Sequence, residues 1–303
     1  MSVEFETSKR IQKYLIEIIK KAQMCDETNK VKIDTNLECN VPEKDIHKIA
    51  GPFIDEWVYE TFSNEQKKST STIKSVISRE SSSLEDVFVS LELDGEQYDV
   101  LIDVKSAALA KGTNAGKGSN LTSFRKIRPF YIKNPEALFF ILSIEHRNLM
   151  IDDKCHGFEL VDCNIFDLKY VISNELMLNI SMGDQFQISN SMRVTQIDRT
   201  TEEFIDLIDK MFLSKYSVEK LNKIIADEQK LEEIQEIAYV VYDIIQENEP
   251  IKRAAILSYL KRIVPNNEEI EKLLGKALAI LKKNSKILTQ NRYDYIIYHD
   301  NEE

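Results

Sequence analysis

Two aspartates and a lysine, Asp86, Asp103 and Lys105, are of types and at a spacing that can do chemistry together. They bracket the segment DVFVSLELDGEQYDVLIDVKS, in which apolar and polar residues alternate on both sides of Asp94-Gly95, a dipeptide favoured in two-residue hairpin turns. Taking Asp94 and Gly95 as the loop sets Leu93 opposite Glu96, Leu91 opposite Tyr98 and Asp86 opposite Asp103. Val87, Val89, Leu91 and Leu93 then share a core face with Tyr98, Val100, Ile102 and Val104, and the other face carries Asp86, Asp103 and Lys105. Two carboxylates across an antiparallel pair have Cβ atoms about 5 Å apart. At an effective dielectric near 20, two ionised acids repel by about 3 kcal/mol, which a divalent cation between them reverses. With no His or Cys nearby, oxygen-only ligands select a hard ion such as Mg²⁺.

Lys105 adds a cation beside whatever that ion holds, able to orient an attacking water and to balance charge building on a phosphate. Hydrolysis of a phosphodiester is the natural reaction. The polyanion this requires has a second signal. From Lys105 to Lys133 the chain carries Lys105, Lys111, Lys117, Arg125, Lys126, Arg128 and Lys133 with no Asp or Glu, although the net charge of the whole chain is −11. Such a segment is a local anion-binding surface in an acidic protein. Ser106, Lys111, Asn114, Lys117, Asn120, Ser123, Arg125 and Arg128 form a DNA-contact set, in which cations hold phosphates and amides read adenine edges.

The elements that must position these residues follow from pattern. Residues 1 to about 63 predict two helices, one with the stripe Ile11, Leu15, Ile18 and Ile19, the other PFIDEWVYETF with Pro52 in its first turn. A polar stretch from Ser63 to Ser83 precedes the hairpin. The glycine-punctuated loop KGTNAGKGSN leads into LTSFRKIRPFYIKN, where Leu121, Phe124, Ile127 and Tyr131 suit a helix despite Pro129. ALFFILSIEHR then reads as a central strand buried on both sides. Residues 158 to 197, including ELMLNISM and DQFQIS, predict more strands, and 201 to 230 predict helix. From Leu231 three helical patterns and KILTQNRYDYIIYH follow the plan of a winged helix, whose third helix usually meets DNA. Residues 249–303 hold ten Lys or Arg against eight Asp or Glu, so this piece is +2 and the remainder −13.

Asp86, followed after sixteen residues by Asp103-Val104-Lys105, resembles the PD-(D/E)xK signature of the nuclease superfamily that contains most type II restriction endonucleases. Glu85 stands where the signature often has Pro, and the second acid is Asp. The resemblance spans about residues 50 to 150 in element order, ending at Ser143-Ile144-Glu145-His146-Arg147, and DQFQISN at 184–190 is similar to a late segment of some restriction enzymes. It implies an α/β fold, a mixed β-sheet flanked by helices; with the change of pattern at Leu231, the expected organisation is a nuclease domain at 1–215, a helical connector at 216–230 and a winged-helix-like domain at 231–303. It also implies Asp86, Asp103 and Val104 as metal ligands for Mg²⁺, and Asp86, Asp103 and Lys105 as catalytic residues. An acid of the preceding helix, Asp55, Glu56 or Glu60, completes the site in such enzymes, and Glu60 is the choice here. The function expected is site-specific, Mg²⁺-dependent cleavage of double-stranded DNA by a homodimer, with a cognate methyltransferase in the same restriction-modification system. Two alternatives remain: a structure-selective repair or junction-resolving nuclease, and a non-catalytic winged-helix DNA-binding regulator.

Other classes fit less well. The loop from Gly112 to Gly118 lacks the phosphate-binding pattern of an NTPase. Cys25, Cys39, Cys155 and Cys163 have no paired ligand spacing, which argues for reduced thiols. His146, at a strand end, reads as structural more than as a phosphate or base contact. No window reaches the length of a membrane span, and the start of the chain is amphipathic, so a cytoplasmic location without membrane association is expected.

Overall fold

The computed structural model describes residues 1–33, 49–79, 83–109, 119–151, 154–248, 250–264, 269–284, 287–290 and 294–297. The chain divides into two compact units, Met1–Tyr216 and Ser217–Glu303.

The first unit is built on a six-stranded sheet in the order β1-β7-β6-β4-β3-β2. Its strands are β1 (Lys30–Lys32), β2 (Ile73–Ser78), β3 (Val87–Leu93), β4 (Glu96–Ala108), β6 (Leu138–Ile151) and β7 (Lys154–Asp167). The predicted hairpin is β3-β4. Asp94 and Gly95 both adopt positive φ, 55° and 84°, the conformation that a tight turn between twisted strands requires. The ladder runs in the expected register from Leu93↔Glu96 to Val87↔Ile102. β4 pairs on its other side with β6, in parallel, Asp103 beside Ile141 and Lys105 beside Ser143.

Both faces of this sheet are covered, as a strand reading LFFIL demands. Phe140, Leu142 and Ile144 join the valines and leucines of the hairpin against α1 (Val3–Gln23) and α2 (Ala50–Gln66), where Ile11, Leu15, Ile19, Ile54, Val58 and Phe62 are fully buried. Phe139 turns to the other face, where its ring meets Phe130 of α3 (Phe124–Lys133) at 5.8 Å. There Tyr131 packs on Phe204 and Phe124 stacks on Phe212 of α4 (Thr201–Leu213). Pro129 inside α3 forfeits a helix hydrogen bond and costs about 3 kcal/mol. Complete burial of Phe124, Ile127 and Tyr131, each contributing roughly 1.5 to 3 kcal/mol, offsets it. A second, three-stranded sheet in the order β5-β9-β8 comprises β5 (Ser119–Ser123), β8 (Leu176–Asn179) and β9 (Gln185–Ile188). β5 precedes α3 where the sequence predicted helix from Leu121.

The second unit runs α5 (Val218–Asn248), β10 (Ile251–Lys252), α6 (Arg253–Ile263), α7 (Ile270–Lys283), β11 (Ile287–Gln290) and β12 (Asp294–Ile297), with its strands in the order β10-β12-β11. It has its own core, including Val241, Ile245, Ile256, Leu260, Leu274 and Ala277. The change of texture at Leu231 falls inside the 31-residue α5, so the expected connector at 216–230 is continuous with that helix. Among the described residues no helix is long and apolar enough to cross a membrane, and Cys25, Cys155 and Cys163 are free thiols.

Candidate active site

The site forms where β3 stops short of β4. The ladder ends at Val87↔Ile102 and then slips, because the Asp86 N–H donates to the Ile102 carbonyl at 2.9 Å. Asp86 and Asp103 are therefore not a regular facing pair. The slip leaves the Asp86 side chain beside the edge of β4, where Oδ2 accepts the Val104 N–H at 2.8 Å. In a strand the N–H and C=O of one residue point the same way, so the Val104 carbonyl also faces the gap that β3 vacates. Glu85, at the position where Pro is common in the resembled signature, is tied to Arg79 at 3.1 Å, and the Arg79 N–H donates to the Asp86 carbonyl. These contacts fix the approach to Asp86.

Asp103 lies on the opposite side of β4 from Val104 and is buried, with 5% of its surface exposed. Its Oδ1 accepts from the Lys105 ammonium. Its Oδ2 is buried and has no hydrogen-bond donor among the described residues. Burial pushes the Asp103 carboxyl up to about 7, against the opposing pull of Lys105 and with a further push from Asp86.

The third acid is Asp55 of α2. It lines one cavity of about 430 Å³ with Gly51, Asp86, Val104, Lys105, Ser106, Ala107, Ala108, Ser119 and Asn120. Burial first, then the charge of Asp86, pushes Asp55 up to about 7. Glu60, the acid chosen from sequence, is elsewhere: it lines a different cavity with Trp57, Thr28 and Lys68. The reason is helical geometry. Asp55 and Glu60 flank the buried stripe of α2 on opposite sides, about 140° apart around the axis at 3.6 residues per turn, and only the flank carrying Gly51 and Asp55 faces the end of β4. Asp55→Asn is accordingly expected to lower the phosphodiester hydrolysis anticipated from the sequence by at least about 10-fold, whereas Glu60→Gln changes it less than about 2-fold, as turnover on a plasmid substrate would show.

The arrangement suits a hard cation. Asp103 Oδ2 lacks a hydrogen-bond donor among the described residues, the nearby metal-ligand atoms are all oxygen, and two carboxyls beside Asp86 are pushed up to about 7, by burial first and by the neighbouring charge second. Among the described residues no group of three or more His, Cys, Asp and Glu stands ready to enclose an ion.

Of the expected DNA-contact residues, Ser106 and Asn120 line the cavity. Ser123 sits at the junction of β5 and α3, and Arg125 is exposed in the first turn of α3 with its guanidinium 3.7 Å from Asp184. Lys111, Asn114 and Lys117 lie outside the described residues. Arg128, also expected in the DNA-contact set, is buried, and its Nε and Nη2 clamp the two carboxylate oxygens of Asp209 at 2.8 and 3.2 Å. Reaching a phosphate would leave the Asp209 charge unpaired, which costs several kcal/mol. His146 is also interior, its ring edge-on to Phe158 at 5.1 Å.

Comparison with known proteins gives two findings. The model of the family described as type II restriction endonuclease HpaI matches residues 2–230. Type II restriction enzyme HpaI of Haemophilus parainfluenzae is 30% identical over 188 residues, covering 59% of this chain and 74% of that enzyme. The family match takes in the first unit from Ser2 onward and the beginning of α5.

Proposed function

The chain belongs to the type II restriction endonuclease HpaI family, a family of site-specific deoxyribonucleases, and from that premise we propose how its residues cut DNA. Asp86 and Asp103, with the Val104 carbonyl and with Asp55 beside the same cavity, would hold Mg²⁺. When bound there, Mg²⁺ supplies neutralisation of phosphate charge and acidification of water. Lys105 orients the attacking water and balances the charge that grows on the phosphate oxygens as one P–O bond forms and the other breaks. Asp103 positions Lys105 through their ion pair. Ser106 and Asn120, which line the cavity, and Arg125, exposed in the first turn of α3, bind the duplex. What carries this reading is the convergence of Asp55, Asp86 and Lys105 on one cavity, beside a buried Asp103 oxygen that has no donor among the described residues.

The enzyme acts in the cytoplasm as a homodimer, because two antiparallel strands are cut most simply by two subunits related by a two-fold axis, and it is paired with a methyltransferase that protects host DNA. The order helix, strand, helix, helix, hairpin in the second unit, with Lys272, Lys276, Lys282 and Lys283 exposed on α7, supports a winged-helix module that adds phosphate contacts. Plasmid digestion tests the whole reading. With Mg²⁺, discrete fragments ending at one sequence are expected, and EDTA should abolish them. Cutting confined to branched DNA would favour a junction-resolving nuclease, and binding without metal-dependent cutting would favour a non-catalytic regulator.

A further inference from the structure

The β5-β9-β8 sheet buries one face and bares the other. Ser119, Leu121, Phe186, Ile188, Leu176 and Leu178 point inward and are buried. Period-two alternation then turns Asn120, Gln187 and Met177 outward, and the register sets them in one row, Asn120↔Gln187 and Met177↔Gln187, with Gln185 in the next row. Asn120 and Met177 are exposed, and Gln185 and Gln187 are half-buried. These four side chains carry no charge, in a protein whose residues are 30% charged. The Gln187 amide donates to the Asn120 side-chain oxygen across the two strands. Asn120, with Ser119 before it, also lines the cavity that Asp55, Asp86 and Lys105 line, so the start of β5 borders the candidate active site.

We propose that this face is the base-reading surface of the enzyme, and that the Asn120–Gln187 amide pair recognises an adenine through its major-groove edge. The inference rests on the DNA-cleavage reading above and deepens it. A paired Asn and Gln spend one donor and one acceptor on each other, so a donor and an acceptor remain side by side, whichever way the two amides are turned. Adenine offers the complement: N7 accepts and the N6 amino group donates, a combination that distinguishes it from the other bases in the major groove. The mutual hydrogen bond holds both side chains in place before DNA arrives, which lowers the ordering cost of binding. Met177 in the same row offers an apolar surface of the kind that meets a thymine methyl group. Exposed Arg125 and Lys126, just past β5, are placed for phosphates, which set register without reading sequence. Gln187 lies outside the basic segment that marked the DNA-contact residues in the sequence, and it was not expected there.

The test begins with the full-length protein, Mg²⁺ and a plasmid whose fragment ends are sequenced to define the site. Short duplexes carrying that site are then made with each adenine in turn replaced by 7-deazaadenine, which lacks the N7 acceptor. For one adenine per half-site, kcat/KM of the unaltered protein should fall about 10-fold or more. Gln187→Ala should lower kcat/KM on unmodified DNA by about 10- to 100-fold and no longer respond to that replacement, and Asn120→Ala should behave alike. Insensitivity of the unaltered protein to every replacement, a site without adenine, or a Gln187→Ala variant as sensitive as its parent would overturn the inference while leaving DNA cleavage intact. Failure of the unaltered protein to cut any DNA would instead overturn the cleavage reading on which it rests. The arms that use only the unaltered protein decide the matter even if a variant does not fold.

Discussion

Asp103→Asn is expected to abolish DNA cleavage and, at the same time, to raise the melting temperature of the metal-free protein at neutral pH. The first effect follows from loss of a metal-binding carboxylate and should reach at least about 1,000-fold in turnover. The second follows from burial. The Asp103 carboxyl is pushed from its ordinary 3.8 up to about 7, so the folded state disfavours its ionised form. A raised carboxyl stabilises the fold below the unfolded value and loses that contribution as pH climbs toward the folded value. At 1.4 kcal/mol per unit the full shift would be worth about 4 kcal/mol, and the ion pair with Lys105, which the amide weakens, reduces the net gain to on the order of 2 kcal/mol. In a domain of this size that is roughly 5 °C. Melting curves in EDTA should show the unaltered protein losing stability from pH 5 to pH 8, with a shallower loss in Asp103→Asn, since Asp55 still titrates near 7. Equal slopes in the two proteins would show that Asp103 does not carry the buried charge. Added Mg²⁺ should stabilise the unaltered protein and have little effect on the variant.

Lys105→Ala should match that loss of cleavage but move stability the other way. Lys105 is the cation that pulls the Asp103 carboxyl down. Without it a buried carboxylate stands beside Asp86 with no counter-ion, and removing one member of such a pair is strongly destabilising, here by about 2 kcal/mol because Lys105 itself is only partly buried. The penalty should be largest in alkaline metal-free buffer and vanish at pH 5, where Asp103 is protonated. The double variant Asp103→Asn, Lys105→Ala should recover the lost stability and remain inactive. On DNA, Lys105→Ala should lower the salt dependence of binding by about one phosphate contact. Measurable cleavage by Lys105→Ala at near-parental rate would remove Lys105 from the chemistry altogether. The opposite signs of the two stability effects distinguish a functional charge cluster from an ordinary structural ion pair, in which both single changes destabilise.

What could be read along the chain was what local geometry dictates. Strict alternation around Asp94-Gly95 determined the hairpin, its register and the proximity of Asp86, Asp103 and Lys105, because a strand has a period of two and a tight turn leaves no slack. The apolar run LFFIL determined a strand covered on both faces, and the apolar stripes determined α1 and α2. Packing decided the rest. A helical pattern identifies which stripe is buried but not which flank faces the end of a strand some forty residues later in the chain, and so the sequence alone does not separate Glu60 from Asp55. The slip that moves Asp86 off its regular pairing depends on Arg79 and on the Val104 N–H, contacts with no counterpart in a two-strand pattern. Arg128 read as a DNA contact until α4 brought Asp209 against it. Gln187 and Asn120 are 67 residues apart, and only the pairing of β5 with β9 makes them one surface, since hydrogen bonds between strands depend on which edges meet in space and not on the side chains that alternate along either strand.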